Sequence, residues 1–276
     1  MINYVKKIYE NFDRIIRRPE MAILPGQLAY FLVVAIIPTV TLLSLGATFL
    51  NLSTEAIFTF FSNSFSPDVA NLILSAEVGL VEDSYFAGFI ILAGYYVSSN
   101  GACSIIVTSN TIYGIKNKGY IKRHLKAFLM ILILLFLLIL MLFVPMFGDK
   151  IILFLQETSN SVAFTNNVIL LFAILKGPLF WFILFCFIKL IYVMAPDKKI
   201  EYRNTNVGAL FTTVSWIIVS YVYSIYINNF ANYSELYGNL ANLIVIMLWF
   251  YFLAYCFTIG LALNYNIEED KNLKKE

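Results

Sequence analysis

The residues best able to do chemistry in this sequence are polar side chains inside long apolar stretches. Lys176 interrupts one such stretch, Ser99 and Asn100 lie in another, and Asn110 follows them closely. A cation or an amide within a bilayer is unfavourable unless it is paired, so such residues mark binding sites or pathways. We therefore take Lys176, Ser99, Asn100 and Asn110 as candidate substrate-binding residues.

The depth of Lys176 depends on where its helix begins. If the helix begins near Asn167, the lysine lies about 13 Å into an apolar core of about 30 Å, where its charge needs a partner. If the helix instead begins at Pro178, a residue favoured in the first turn, Lys176 lies at the outer interface and extends its ammonium to the headgroups. The sequence leaves both alternatives open.

The other polar residues also have ordinary structural interpretations. Small residues such as those around Ser99 let helices approach closely, and an asparagine such as Asn110 can form hydrogen bonds between helices. Lys189 lies near the end of the same apolar stretch as Lys176, and we predict that its ammonium reaches the nearby membrane surface.

Catalytic machinery is not visible in the sequence. There is no Ser/His/Asp set, no glycine loop that would cradle a phosphate, and no group of carboxylates within an apolar segment. The single histidine, His124, excludes a histidine-based metal cluster. The three cysteines lie in apolar segments, where cysteine acts as a small hydrophobic residue. We expect no catalytic residues, no metal, no cofactor and no nucleic-acid partner, and hence not an enzyme.

The composition identifies the elements that must position these residues. Apolar residues make up 60% of the chain and charged residues 13%, too few charges to cover a water-soluble domain. The prediction is an all-α, polytopic membrane protein with six transmembrane helices. The spans are expected at about 28–50, 85–107, 127–147, 168–194, 207–227 and 240–263.

The positive charges predict the orientation of these spans. Of 19 lysines and arginines, 16 fall in four alternate stretches, and the three connections between those stretches contain only Lys150. Because short basic loops stay on the cytoplasmic side, both termini are predicted to be cytoplasmic. We expect a multi-pass protein of the bacterial plasma or inner membrane.

Segments outside the spans have their own patterns. Residues 1–20 have the spacing of an amphipathic helix on the cytoplasmic surface, and residues 267–276 form a charged tail. The connection 51–84 is acidic and aromatic, which predicts amphipathic interfacial helices on the outer side. Residues 21–266 then form one transmembrane domain. Pro38 is expected to kink the first span.

A set of residues spread over nearly the whole chain resembles the pattern of the YihY/BrkB family of bacterial membrane proteins. In the first half these residues are Leu28-Ala29-Tyr30-Phe31, Pro38, Ser99-Asn100-Gly101, Asn110 and Tyr113. In the second half they are Lys176-Gly177-Pro178, Pro196, Gly208-Ala209, Trp216, Tyr233 to Gly238 with Tyr237, Trp249-Phe250-Tyr251, Gly260 and Asn264.

This resemblance implies a six-helix inner-membrane protein in which Pro38, Pro178, Tyr237, Gly238, Trp249, Gly260 and Asn264 are structural motif residues. One position departs from the pattern. The family commonly has a glutamate two residues before the final asparagine, and this chain has Ala262 there, so a proton-coupled mechanism through that carboxylate is in doubt.

Two functions of different classes follow. The first is a transport-class protein that handles a lipid or another amphipathic anionic substrate. The second is a scaffold that binds envelope proteins through the acidic outer loop and moves nothing. A ribonuclease is disfavoured, because His124 is the only plain candidate base. Membrane lipids are expected partners, and the oligomeric state is left open.

Overall fold

The computed structural model describes residues 15–49, 84–136, 162–230 and 239–273. Within these ranges the chain is helical apart from short connections, and no strand is present. The prediction of an all-α chain is confirmed for these residues. Long apolar segments fold this way because a helix satisfies its own backbone hydrogen bonds without water.

Six long helices are described, with a short 3₁₀ helix, Tyr202–Thr205, before the fifth. They are α1, Glu20–Phe49; α2, Ser84–Ile112; α3, 120–136; α4, Val162–Met194; α5, Asn206–Phe230; and α6, Asn239–Leu273.

Three helical stretches are long and apolar enough to cross a membrane. They are Gly177–Met194, Tyr202–Tyr226 and Ile244–Glu269. A shorter apolar stretch, Glu20–Ile36, lies in α1. The described residues therefore form a membrane protein with several spanning helices.

Two helices extend well beyond the predicted spans. α1 begins at Glu20 and contains both Pro25 and Pro38, so the helix continues through the residue at which a kink was expected. α6 continues to Leu273, so most of the segment predicted as a charged tail is helical. The final turns of α6 are polar, and the apolar pattern used to define the span could not detect them.

Several predicted features lie outside the described residues. These are residues 1–14 of the expected surface helix, the outer connection from 51 to 83, the later part of the third span, and Tyr237 and Gly238.

The helices pack in two groups that share α6. α1 lies against α2 and α6, and α5 lies against α4 and α6. At the α1–α2 contact, a Cβ on Gly101 would lie 3.2 Å from the Cβ of Ala35, so the glycine permits a close approach. Ser98 also accepts a 3.2 Å hydrogen bond from Thr39 across this contact.

A buried hydrogen-bond network joins α4, α5 and α6. The Tyr192 hydroxyl donates to the carbonyl of Phe257 at 2.8 Å and lies 2.6 Å from Thr212 Oγ1. Asn264 Oδ1 accepts a 2.8 Å hydrogen bond from the backbone N–H of Gly208. Polar side chains thus hold these helices together where lipid offers no hydrophobic driving force.

Candidate functional site

The C-terminal half of α2 is the most enclosed part of the described chain. Ser98, Ser99 and residues 101–106 and 108–110 are all buried. Many of these buried residues are polar, so α2 brings hydroxyl groups into the centre of the protein. The buried polar side chains of the candidate site are therefore concentrated on α2.

Several of these hydroxyls have no hydrogen-bond partner among the described residues. They are Ser104 Oγ, Thr108 Oγ1 and Ser109 Oγ. Ser104 and Thr108 are one turn apart on one face, whereas Ser109 projects from a different face. Thr108 lies two turns beyond Gly101 and therefore on the side of α2 that meets α1. A buried polar group without a partner is unfavourable, so these atoms are suited to bind a further polar group.

A second set of unpartnered atoms lies along α6, near the end of α2 and the start of α5. Within the described residues, the Tyr113 hydroxyl, Asn264 Nδ2 and Glu268 Oε2 are enclosed and lack partners. The Tyr113 ring packs edge-on against Tyr265 with centroids 5.7 Å apart. Burial, followed by the charge of Glu268, raises the pKa of the Tyr113 hydroxyl, so Tyr113 stays protonated and able to donate.

Asp197, just after α4, is the centre of an ionic network. Its carboxylate accepts hydrogen bonds of 2.9 Å from both Lys126 Nζ and Asn110 Nδ2 and lies 3.4 Å from Lys118 Nζ. Its backbone N–H donates to Asn110 Oδ1 at 2.8 Å. With a side chain only 2% exposed, Asp197 ties the end of α2 and the start of α3 to the end of α4.

The protonation of Asp197 reflects opposing effects. Desolvation by burial raises its pKa, but hydrogen bonds from Lys126 and Asn110 and the charges of Lys126 and Lys118 together hold the pKa below its ordinary value. The carboxylate is therefore ionised at neutral pH. Lys126 also donates to the carbonyls of Ala195 and Pro196 at 2.6 and 2.8 Å, which anchors the last turn of α4.

Comparison of the sequence with known proteins places this chain in a family. The family described as Virulence factor BrkB matches residues 16–276 of the chain. The chain belongs to this family. The family resemblance seen in the sequence is thereby confirmed, and the chain is a multi-pass bacterial membrane protein.

Relatives of this BrkB-family chain carry names that describe little chemistry. The ribonuclease-like protein YfkH of Bacillus subtilis (strain 168) is 27% identical over 254 residues, which cover 91% of each chain. A UPF0761 membrane protein of Glaesserella parasuis serovar 5 is 23% identical over 68% of this chain and 64% of its own length. One of Idiomarina loihiensis is 28% identical over 31% of this chain and 30% of its own. No solved structure matches the chain at a significant level.

The candidate residues occupy different environments. Ser99 is buried, but its hydroxyl donates to the carbonyl of Tyr96 at 2.7 Å within α2. Asn110 is fully buried in the Asp197 network, where it also donates to Asn117 at 2.9 Å. Asn100 is partly buried. α4 begins at Val162 and continues through Lys176, whose side chain lies outside the described residues.

Trp249, Gly260 and Asn264 of the family motif lie at helix contacts, whereas Pro178 is exposed. Pro178 is inside α4, and Trp249 donates to Ser220 across α5 and α6 at 3.3 Å. Gly260 and Asn264 lie on the face of α6 that meets α5. Ala262, where the sequence resemblance implies a glutamate in the family, is fully buried, so a carboxylate at this position would be enclosed by protein.

The sequence alone does not identify Asp197, Lys126 or Tyr113 as parts of a site. Asp197 and Lys126 fall in stretches that the sequence marks only as charged connections. The signal that could have identified Asp197 is its position directly after Pro196 at the end of an apolar run, where an acid is unusual among basic neighbours.

Proposed function

We propose that this protein crosses the plasma membrane six times, with both termini in the cytoplasm, and moves an amphipathic anionic substrate such as a lipid. The basic connections support this orientation. Asp197, just after α4, pairs with Lys118 before α3 and Lys126 in α3, so these two connections lie on one side. Their basic residues favour the cytoplasmic side. The polar residues of α2 would lie along the substrate route.

The observation that carries the proposal is the set of buried hydroxyls on α2 without partners. An enclosed hydroxyl that lacks a hydrogen bond is unfavourable by about 1–3 kcal/mol. Ser104, Thr108 and Ser109 are all of this kind within the described chain. Serine and threonine also allow close helix packing, but packing alone leaves these hydroxyls without partners, which a passing polar headgroup would supply.

The chemistry of these groups favours an anion. Hydroxyls can donate hydrogen bonds, and the neutral Tyr113 hydroxyl and the unpartnered Asn264 Nδ2 add two further donors. The charge of Glu268 in the same set is balanced by Lys198, whose Nζ lies 2.8 Å from Glu268 Oε1. Lys176 on α4 is a candidate for a positive charge along the same route. A phosphate or carboxylate headgroup would match such donors.

The test is a lipid-scrambling assay with the full-length protein in liposomes. Fluorescent phosphatidylglycerol and phosphatidylcholine are compared by their accessibility to a membrane-impermeant quencher. We expect the protein to accelerate exchange of phosphatidylglycerol, and Thr108→Val to slow it severalfold. Thr111→Val is the matched control, because the Thr111 hydroxyl already donates to the Val107 carbonyl at 2.9 Å. Equal rates for Thr108→Val and the wild type would contradict the proposed route.

A scaffold that moves nothing is the second candidate. The Asp197 network favours it, because buried ionic contacts fix the ends of α2, α3 and α4 in one arrangement. In the same assay a scaffold would give exchange rates equal to those of protein-free liposomes for both lipids.

A further inference from the structure

Lys189 is a buried cation that the proposed route does not use. It lies inside the apolar stretch Gly177–Met194 of α4, about 7.5 Å along the helix axis from its end. The residue as a whole is only 7% exposed. The sequence predicts that this ammonium reaches the membrane surface, and the structure shows it over the ring of the exposed Tyr202.

The contacts of Lys189 are aromatic. Its Nζ lies 3.4 Å from the ring centroid of Tyr202, in the 3₁₀ helix, and 5.9 Å from that of Phe185, one turn earlier on α4. A cation over a ring gains about 0.5–2 kcal/mol. An anion beside the ammonium would form a charge-assisted hydrogen bond that the rings cannot supply.

No carboxylate of the described residues pairs with Lys189. Three acids of the surrounding connection and of α6 have other cations as partners. These pairs are Asp197 with Lys126, Glu201 with Lys271, and Glu268 with Lys198. Among the residues that the structure covers, the charge of Lys189 is thus left without a counter-ion.

The ammonium is nevertheless reachable. Lys189 Nζ has no hydrogen-bond partner in the described chain, yet it is not among the enclosed unpartnered atoms, so it keeps access to the surface. The Tyr202 side of the site is open, since this residue is 55% exposed. An anion could therefore approach Lys189 past the Tyr202 ring.

The neighbourhood combines an apolar surface with basic residues. Trp181 and Phe182 on α4 are exposed large hydrophobic residues. Lys199 and Arg203, close to Tyr202 in the sequence, are exposed cations. An apolar helix surface next to exposed basic residues fits the acyl chains and headgroup of a lipid better than it fits a free anion.

We propose that Lys189 and Tyr202 form a binding site for the phosphate of an anionic phospholipid, with the acyl chains against the exposed apolar face of α4. The lipid stays bound and supplies the counter-ion that Lys189 lacks. The site is independent of the route along α2, so its existence does not rest on transport.

The experiment uses full-length protein purified into detergent and supplied with dioleoyl phosphatidylglycerol or dioleoyl phosphatidylcholine. Retained lipid is counted by native mass spectrometry, and thermal unfolding is followed with each lipid. We expect the wild type to retain phosphatidylglycerol preferentially and to unfold at a higher temperature with it. Lys189→Met, which keeps the side-chain length and removes the charge, should lower retention about tenfold.

Further variants separate the site from general effects. Tyr202→Leu should also reduce retention, and Tyr202→Phe should preserve it because the ring remains. This arm stays decisive if Lys189→Met folds poorly, because Tyr202 is exposed. Lys122→Gln removes an exposed cation of α3 and is the control for overall charge.

Three outcomes would overturn the proposal. They are wild-type retention in both Lys189→Met and Tyr202→Leu, an equal loss in Lys122→Gln, or equal stabilisation by water-soluble glycerol phosphate. The last result would assign the site to a free phosphate compound instead of a lipid.

Discussion

Gly208 of α5 and Gly260 of α6 meet where the two helices cross, and neither position has room for a side chain. A Cβ on Gly208 would overlap the backbone carbonyl of Gly260 and the side chain of Asn264. A Cβ on Gly260 would overlap the hydroxyls of Thr212 and Tyr192. The two glycines therefore set the distance between α5 and α6, on which the buried network of these helices depends.

Gly260→Ala tests this crossing. Because the added methyl displaces the Tyr192 and Thr212 hydroxyls, we expect a loss of about 1–3 kcal/mol of stability. The loss of stability is measured as the unfolding temperature in detergent, which is monitored by size-exclusion chromatography of heated samples. Gly177→Ala is the matched control, since a Cβ on this α4 residue meets nothing within 4 Å. Equal unfolding temperatures for the two variants would contradict the close crossing.

The Asp197 network predicts a defined pH dependence. The pKa of Asp197 is lower in the fold than its ordinary value of 3.8, so its ion pairs contribute stability above that value. This contribution is lost as the pH falls from about 4 toward the lowered pKa. We expect the stability difference between wild type and Asp197→Asn to be large at pH 7 and to shrink below pH 4.

Comparing the two proteins at each pH removes the effect of other carboxylates. Asp197→Asn should lower stability at pH 7 by about 1–3 kcal/mol, because Lys126 loses its charged partner. A difference between wild type and variant that is independent of pH would show that the network does not depend on ionised Asp197.

The helices can be predicted from the sequence alone, whereas the contacts of Asp197 cannot. Continuous apolar runs predict α4, α5 and α6, because a helix is the structure that satisfies a backbone in lipid. The partners of Asp197 are not local, since Asn110 is 87 residues away and Lys126 is 71. No periodicity encodes which loop meets which helix end, so that network becomes visible only in three dimensions.

Asn110 and Ser99 can be identified as candidates from the sequence, but the roles of their side chains depend on packing. Asn110 is notable in sequence because an amide follows an apolar stretch, but its role as a partner of Asp197 depends on packing. Ser99 is notable for the same reason, yet its hydroxyl bonds to its own helix. The unpartnered hydroxyls of Ser104 and Thr108 resemble ordinary small residues in the sequence.

The orientation is tested by cysteine labelling in intact cells. Lys118 and Lys199 are exposed in the structure, and the basic connections predict that both face the cytoplasm. Cysteines there should react with an impermeant reagent only after the membrane is made permeable. Cysteines at Asp68, Glu157 and Glu235, in the predicted outer connections, should react in intact cells. Labelling of Lys118→Cys in intact cells would overturn the orientation.

Lys176 is the candidate for the positive charge along the proposed route. α4 begins at Val162, well before Pro178, so the backbone of Lys176 lies within the helix and not at its first turn. If its cation meets a passing anionic headgroup, Lys176→Gln should slow phosphatidylglycerol exchange severalfold, whereas Lys176→Arg should keep part of the activity because the charge is preserved. If the ammonium reaches the outer headgroup layer instead, both variants should match the wild type.

The scrambling assay measures the rates, with phosphatidylcholine exchange and the amount of inserted protein as controls. Wild-type rates in Lys176→Gln would show that this lysine is not part of the route. The route would then be tested only by the α2 hydroxyls.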